Sequence, residues 1–226
     1  EFQKIIWEYY RKEERDLLWR HAEHIADPYK ILVSEIMLQQ TQVARVQVKY
    51  PQLIKALPNF KTLAKAPFTR VLKVWQGMGY NRRALALQKI AIIVMKEFGG
   101  VLPSDTEILK TFPGIGPHTA GSIAAFAFNE PAVFIETNIR RVFIHFFFSR
   151  TKKVSDDKIR PWVAKTVDKN NPREWYFALM DYGAKLAKEV INPNRKSFSY
   201  RRQSKFEGSL RQVRGKILKE LLKKQS

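Results

Sequence analysis

Two glutamates lie in apolar surroundings where a solvated carboxylate is not expected. Glu35 is placed between Val33 and Met37 on an otherwise apolar helix face, and Glu136 follows the run Ala-Val-Phe-Ile. A carboxylate beside apolar groups has a raised pKa and can exchange a proton near neutral pH, whereas a second carboxylate that stays ionised can stabilise a developing cation. Such a pair suits cleavage of a glycosidic bond. The alternative is that each acid caps a helix or pairs with an arginine.

A glycine turn that opens directly into a helix is the second feature with chemical potential. Residues 111–123 have the sequence Thr-Phe-Pro-Gly-Ile-Gly-Pro-His-Thr-Ala-Gly-Ser-Ile. Pro113 ends one helical pattern, and Gly114 and Gly116 permit backbone angles that other residues resist. The free amides at the start of the next helix form a seat for a phosphate, and no side chain blocks the approach. The simpler interpretation is a helix cap with no ligand.

The charge of the chain favours a polyanionic partner. The 226 residues include 41 Lys and Arg against 21 Asp and Glu, which gives a formal charge of +20. Nucleic acid is the leading candidate, and an anionic membrane surface is the alternative. The apolar runs are all shorter than the ~20 residues that a membrane span requires. Cysteine is absent, which excludes disulfides, thiolate zinc sites, cysteine nucleophiles and cysteine-ligated iron–sulfur clusters.

Apolar residues recur at helical spacing along the chain, and alternation of period two is not sustained, so the sequence predicts an all-α fold of ten or more helices. The uncharged polar block at residues 39–42 predicts a break between two of them. The predicted helices are 2–24, 30–50 with that break, 60–66, 69–76, 82–98, one ending at the glycine turn and capped by Ser104 or Asp105, 119–127, 132–148, 156–168, 172–190 and 210–222.

The last forty residues are the most basic part of the chain. From Lys185 to Ser226 there are thirteen Lys or Arg and three acids, with aromatic residues interleaved. These features predict contact with nucleic acid, against the alternative of a solvated charge run. A further expectation is that this segment folds by packing of apolar residues at helical spacing, which are Phe206, Leu210, Val213, Ile217 and Leu221.

Four motifs together resemble the helix-hairpin-helix DNA glycosylases, and within them the MutY-type adenine glycosylases. They are Ser-Glu-Ile-Met-Leu-Gln-Gln-Thr-Gln at 34–42, Gly-Met-Gly-Tyr at 77–80, Pro-Gly-Ile-Gly-Pro-His-Thr-Ala-Gly at 113–121 and Glu-Thr-Asn-Ile-Arg-Arg-Val at 136–142. The resemblance runs from about Trp7 to Gly183. It implies a two-lobed all-α fold: a six-helix barrel lobe at 27–127, a second lobe from 1–26 and 128–226, and duplex DNA in the cleft between them.

The resemblance also implies roles for individual residues. Glu35 matches the acid that protonates the purine and later handles water, and Asn138 matches a polar residue that orients the catalytic carboxylate. Gln39 and Tyr80 match residues that wedge into the duplex, and Gln40 lies in the loop that faces the lesion. Hairpin carbonyls near Phe112 and Ile115 are expected to bind a monovalent cation. The expected DNA-binding residues are Gln39, Gln40, Thr41, Tyr80, Arg82, Gly114, Gly116, His118 and Thr119.

Three departures from the family pattern modify this expectation. The family aspartate that stabilises the sugar cation is replaced by Glu136, and the position that holds lysine in the lyase branch is His118. The four cysteines that bind an iron–sulfur cluster in the family are missing. We therefore expect a monofunctional glycosylase with no cofactor and no iron–sulfur cluster, and with Glu35, Glu136, Asn138 and His118 as catalytic residues. A preference for 8-oxoguanine opposite the target is left open, because the family domain that reads it is not present in this sequence.

The resulting prediction is a base-excision-repair enzyme that flips a mismatched or damaged base from duplex DNA and hydrolyses its N-glycosidic bond. An adenine-like purine is the expected target. The alternatives are a mismatch thymine or uracil glycosylase and a lesion-binding protein that does not cut. A monomer that acts in the cytoplasm at the nucleoid is expected.

Overall fold

A computed structural model describes residues 1–201 and 207–223, and the regular elements of these residues are helices. The extended pairing found in them is a single isolated bridge between Val154 and Ser197. The predicted all-α class is confirmed. The α-helices are α1 (Phe2–Glu13), α2 (Ala22–Ile25), α3 (Pro28–Leu38), α4 (Val43–Ala56), α5 (Phe60–Lys65), α6 (Phe68–Trp75), α7 (Arg82–Glu97), α8 (Thr106–Thr111), α9 (Pro117–Phe128), α10 (Thr137–Phe147), α11 (Asp156–Thr166), α12 (Pro172–Glu189) and α13 (Leu210–Lys223).

The chain divides into two compact units. The first unit combines Glu1–Leu17 with Pro117–Arg201, and the second combines Leu18–Gly116 with the described part of the segment after Arg201. The division at 27–127 that the family resemblance implies stays a prediction. In the described residues, no helix has the length and apolar character needed to cross a membrane.

The second unit is built around α3. Pro28 occupies the first turn of this helix, where a missing N–H costs nothing, and the Asp27 side chain accepts the Tyr29 N–H at 3.0 Å. Most of its apolar side chains are at most 2% exposed, and the helix packs against α4 and α7; the buried ones are Tyr29, Ile31, Leu32, Val33, Ile36 and Met37. Each such burial contributes about 1.5–3 kcal/mol. The helix ends at Leu38, and α4 begins at Val43, so the break predicted at 39–42 is confirmed.

The first unit is built on the packing of α10 against α12, and α1 also packs against α12. Phe2 of α1 contacts the rings of Phe143, Phe147 and Trp175, with ring centroids 5.0–5.9 Å apart. These aromatic contacts join the start of the chain to helices that are more than 130 residues away in sequence.

Two predicted helices are shorter than expected, and tertiary contacts explain both. The helix predicted over 2–24 ends at Glu13, where the Arg15 N–H leaves the helical pattern and donates to Asp181 Oδ2 at 3.0 Å. The helix predicted from 132 begins at Thr137. The preceding segment is not helical because Phe134 is buried against Tyr176, with ring centroids 4.2 Å apart, and the Tyr176 hydroxyl donates to the Ala132 carbonyl.

The packing expected at the end of the chain is wrong for α13. Its apolar residues Leu210, Val213, Ile217 and Leu221 are 48–72% exposed. Phe206, the fifth residue of that prediction, lies outside the described residues. The helix predicted over 210–222 does form. Apolar residues at helical spacing predict a helix, but they do not predict which part of the protein packs against its apolar face.

Candidate functional site

The glycine turn joins α8 to α9 as predicted. Asp105 caps α8 by accepting the Glu107 N–H at 2.6 Å, and the Ile115 N–H closes the turn on the Phe112 carbonyl at 3.1 Å. Gly114 has a φ of +79°, and a Cβ there would lie 3.1 Å from the Cβ of Ala86. The positive φ favours glycine at this position, and the tight approach of Ala86 on α7 leaves little space for a side chain.

The exposed side of the turn carries little bulk. Gly114 and Gly116 are exposed, and a Cβ at Gly116 would meet no atom within 4 Å. α9 begins at Pro117, directly after the turn, so its first amides follow the two glycines. Phe112 and Ile115 are buried, and the monovalent cation expected at their carbonyls stays a prediction. In the described residues, no cluster of three or more His, Cys, Asp or Glu could hold a metal ion.

Two further turns of the second unit present the residues expected to enter the duplex. Gln39 follows α3, and its Nε2 donates to the Gly114 carbonyl at 3.1 Å, which ties this turn to the hairpin. Gln40 is exposed with a φ of +53°, and Tyr80 is 39% exposed with a φ of +48°. These left-handed conformations are uncommon for residues with a side chain and mark both turns as specially constrained.

A pocket of about 360 Å³ lies beside the hairpin within the second unit. Gln39, Arg82, Lys89 and Gly114 contribute to its lining. Arg82 and Lys89 are exposed basic residues on α7, so the lining of the pocket combines cationic groups with the hairpin glycine Gly114. The predicted DNA-binding residues Gln39, Arg82 and Gly114 thus share one surface, and Thr41 is hydrogen-bonded to Arg83 in the neighbouring turn.

Glu35 lies on α3 and is its one acidic residue. It is half-buried, while its neighbours Ser34 and Ile36 are buried. The apolar helix predicted around this carboxylate is present, and the catalytic role expected for Glu35 stays a prediction.

Glu136 is the N-cap of α10. Its Oε1 accepts the N–H groups of Asn138 at 2.6 Å and Ile139 at 2.8 Å. Burial raises the pKa of Glu136, while these two N–H groups, followed by Arg141 and Arg140, act to lower it. The carboxylate is therefore both a helix cap and a group whose charge is costly where it stands. The capping alternative weighed from the sequence is present, and it is compatible with a chemical role.

A chain of hydrogen bonds leads away from Glu136 into α12. Asn138 Nδ2 donates to Glu136 Oε2 at 3.3 Å, and Arg141 Nη1 donates to Asn138 Oδ1 at 2.6 Å. The same nitrogen of Arg141 also donates to the Gly183 carbonyl at 2.6 Å. Asn138 is thus oriented with its amide nitrogen towards the carboxylate. Arg141 was not predicted as a site residue, because within its motif it resembles any basic residue of a DNA-binding helix.

His118 and Thr119 lie in the first turn of α9. The His118 residue is exposed, and the edge of its ring meets Phe134 with centroids 6.0 Å apart. Desolvation of the ring, helped by the positive charge of Arg140, lowers the pKa of His118. The lowered pKa favours the neutral imidazole, and the catalytic role expected for His118 stays a prediction. Thr119 is buried, and its expected contact with DNA stays a prediction.

Comparison with known proteins gives one consistent result. The family model described as HhH-GPD superfamily base excision DNA repair protein matches residues 33–165. The adenine DNA glycosylase of Mycolicibacterium smegmatis is 32% identical over 226 residues, which cover 93% of this chain and 76% of the relative. The adenine DNA glycosylase of Buchnera aphidicola is 36% identical over 81% of this chain. The chain spans about half the length of this relative, at 52%.

Solved structures of DNA glycosylases and related enzymes share the fold of this chain. A thermostable thymine-DNA glycosylase has a TM-score of 0.76 and 25% identity, covering 86% of this chain and 90% of the other. A non-covalent complex of endonuclease III with DNA has a TM-score of 0.70 at 19% identity, covering 84% of this chain and 86% of the other. The second match bears on the fold alone.

Proposed function

This chain belongs to the HhH-GPD superfamily of base excision DNA repair proteins, and we propose that it is a monofunctional DNA glycosylase that removes adenine from mispaired duplex DNA. The reaction consumes one water and yields free adenine and an abasic site. The observation that carries the proposal is the Glu136 carboxylate, which is held in one position by two backbone amides and the amide nitrogen of Asn138.

The chemical step needs a proton donor and a stabiliser of positive charge. We assign the first role to Glu35, which protonates the adenine ring so that the base leaves as a neutral molecule. As the bond between C1′ and the base breaks, the sugar becomes an oxocarbenium ion, and we assign its stabilisation to Glu136. A preorganised carboxylate does this without reorganisation, and such an electrostatic contribution is worth ~10²–10³ in rate. Water then adds to C1′, and Glu35 accepts its proton.

Position 118 supports hydrolysis without strand cleavage. The lyase branch that the sequence resembles carries a lysine here, whose amine attacks the sugar, whereas this chain carries His118. An imidazole cannot form the Schiff base that β-elimination requires. We therefore propose that the abasic site is left intact.

Recognition of DNA is assigned to the second unit and to the helix that follows the hairpin. The exposed glycines of the turn admit a phosphate, and Arg82 and Lys89 supply positive charge beside Gly114. Gln39 and Tyr80 are assigned the space that the flipped base leaves. A monomer bound to one duplex is the proposed functional state.

Thymine or uracil opposite guanine is the second candidate substrate. It is favoured by one observation, which is the 25% identity to a thermostable thymine-DNA glycosylase over 86% of this chain. A protein that binds mispairs without excision is the remaining alternative, since Glu136 replaces the family aspartate.

The test is a single-turnover excision assay over end-labelled duplexes. The panel contains adenine opposite guanine, cytosine and 8-oxoguanine, and thymine and uracil opposite guanine, each assayed with and without hot alkali. We expect alkali-dependent cleavage at adenine, and none without alkali. Glu35→Gln should lower the rate by ~10²–10⁴, the usual value of general acid catalysis, while retaining DNA affinity. Cleavage only at thymine or uracil would identify the protein as a thymine or uracil glycosylase. An absence of cleavage in every duplex would favour a protein that binds mispairs without excision.

A further inference from the structure

Arg83, in the first turn of α7, was not singled out by the sequence, and its guanidinium joins two turns of the second unit. The side chain is buried, with the residue 8% exposed. Its Nη1 donates to the carbonyl oxygens of Ile36 at 3.0 Å and Met37 at 2.8 Å, and also to that of Gln39. Its Nη2 donates to Thr41 Oγ1 at 2.9 Å. One cation therefore satisfies carbonyls at the C-terminus of α3, which have no partner within the helix, and holds the turn that follows.

The same guanidinium holds the turn before α7. Its Nη2 donates to the carbonyls of Met78 and Gly79, both at 3.2 Å. The Gly79 carbonyl also accepts the Trp75 Nε1–H at 3.1 Å. The central carbon of the guanidinium lies 5.3 Å from the ring centroid of Trp75 and 5.5 Å from that of Tyr80. Both distances are within the range of a cation–π contact.

These contacts surround the two residues of the turns that have unusual backbone angles. Gln40 has a φ of +53° and Tyr80 a φ of +48°. Such conformations persist where neighbouring contacts over-determine them. Arg83 contacts both the segment on either side of Gln40 and the segment that leads into Tyr80. Burial lowers the pKa of Arg83 to about 10, so the group remains charged at neutral pH.

We propose that Arg83 is a positioning residue that fixes the Gln39–Thr41 turn and Tyr80 in the conformation used to open the duplex at a mispair. This inference rests on the proposed function for its biological meaning. It assigns Arg83 no contact with the reacting atoms. General affinity for DNA, which depends on exposed basic groups, should not require it. The step that depends on it is unstacking and flipping of the base, because a wedge that is already ordered pays less conformational entropy on insertion.

The test measures unstacking separately from binding and excision. Duplexes carry the fluorescent adenine isomer 2-aminopurine next to the mispair, and the mispair is the one that wild-type protein unstacks most. Arg83→Lys keeps the charge but offers one nitrogen where the fork offers two, and it removes the planar group from the two rings. We expect the fluorescence rise to fall at least fivefold and the excision rate to fall ~10²-fold, the effect of a misplacement near 1 Å. The Kd for fully paired duplex should change less than threefold.

A matched control lies on the same helix. Gln88 is a buried polar residue of α7 that also donates to carbonyls of a preceding segment, those of Leu63 at 3.3 Å and Ala66 at 2.7 Å. Gln88→Met removes two internal hydrogen bonds from the same helix, against the six that Arg83 makes, and it should lower the melting temperature without changing the fluorescence rise.

Two further variants protect the test from a folding defect. Thr41→Val deletes a single acceptor of Arg83 and should lower the rise by a smaller factor, in a protein with unchanged helical circular dichroism. Arg83→Lys in the Tyr80→Ala background should add little to the loss caused by Tyr80→Ala alone, because both act through the same wedge.

Three results would overturn the inference. They are equal losses for mispaired and fully paired duplexes in Arg83→Lys, additive losses in the double variant, and no fluorescence rise with wild-type protein. The fluorescence signal needs no bond cleavage. A wild-type protein that unstacks the mispair but excises no base would therefore refute the proposed function while the role of Arg83 is still decided.

Discussion

Gly183 of α12 lies against Asn138 of α10 so closely that position 183 has no space for a side chain. A Cβ atom there would lie 2.6 Å from both the Cβ and the carbonyl oxygen of Asn138. Arg141 bridges the same two residues, because one of its nitrogens donates to the Asn138 side chain and to the Gly183 carbonyl. The approach of the two helices therefore sets where Asn138 lies and, through it, what Glu136 contacts.

Gly183→Ala should impair both stability and excision. The added methyl group must displace the backbone of Asn138, and such overpacking costs about 1–3 kcal/mol of the free energy of unfolding. The excision rate should fall more than this loss explains under conditions where the variant is fully folded, because Asn138 moves relative to Glu136. Urea unfolding and single-turnover kinetics measure the two effects.

Gly215→Ala is the matched control. Gly215 lies within α13, and a Cβ there would meet no atom within 4 Å. Alanine in a helix interior should stabilise the protein by about 0.5–1 kcal/mol relative to glycine. A Gly183→Ala protein with the stability and rate of this control would show that Asn138 does not need its observed position.

The turn at 39–42 was predictable because local chemistry decides it. Pro28 and Asp27 begin α3, the apolar run ends at Leu38, and four uncharged polar residues follow. The contacts that Gln39 and Thr41 make with Gly114 and Arg83 stabilise the same turn that these local preferences predict. The hairpin was predictable for the same reason, since Pro113 and two glycines specify it without reference to distant residues.

The C-terminal end of α1 and the start of α10 could not be predicted from the local pattern of apolar residues. α1 stops where Arg15 meets Asp181, and these residues are 166 positions apart in sequence. Asp181 is a fully buried side chain within α12. A residue pair of this kind becomes visible only once the helices are packed together.

Arg83 could have been found by its register. It lies on the same face of α7 as Leu87, Ile90 and Val94, which are all buried. An arginine in line with apolar core positions has to pair its charge internally. In a chain with charge +20, however, one more basic residue beside Arg82 gave no reason to separate it from the DNA-binding set.

Binding to duplex DNA should weaken steeply with salt. An interface that contacts about 6–10 phosphates loses ~10³–10⁵ in affinity between about 50 and 200 mM salt. Arg82→Gln should reduce the slope of log Kd against log salt by about one, because Arg82 lines the pocket beside Gly114. Lys12→Gln is the comparison, since Lys12 is an exposed residue in the last turn of α1. Equal changes in slope for both variants would argue against a DNA surface at the hairpin.

The stability of Glu136→Gln relative to wild type should depend on pH in a defined direction. Burial raises the pKa of Glu136, so the folded protein holds this proton more tightly than the unfolded chain does. The wild-type protein therefore loses stability as pH rises through the raised pKa, and this penalty is absent below the ordinary carboxyl value. Glutamine has no charge to bury. We expect the melting temperature of the variant, relative to wild type, to be higher at pH 8 than at pH 4.

The same variant should be inactive wherever it is folded. Its excision rate is expected to fall by ~10²–10³ because the oxocarbenium ion loses its counter-charge.

The opposite pH dependence would contradict the stability prediction. If the melting temperature of Glu136→Gln relative to wild type decreases with rising pH, the N–H groups of α10 stabilise the charge of Glu136 more than burial opposes it. Glu136 would then be a helix cap of ordinary kind.

Glu136→Asp separates capping from catalysis. Aspartate is among the preferred N-cap residues, so the shorter side chain should still accept the amides of α10 and leave the free energy of unfolding within about 0.5 kcal/mol of wild type. Removing one methylene draws the carboxylate back by roughly 1 Å, and a displacement of that size costs ~10² in rate when the group must meet a transition state. Asn138 is held by Arg141 in a position that suits the longer side chain. We therefore expect Glu136→Asp to be as stable as wild type and much slower on the substrate that wild type prefers. If Glu136→Asp instead turns a silent protein into an active adenine glycosylase, the site is not fitted to the longer glutamate side chain, and binding without excision becomes the function of the wild-type protein.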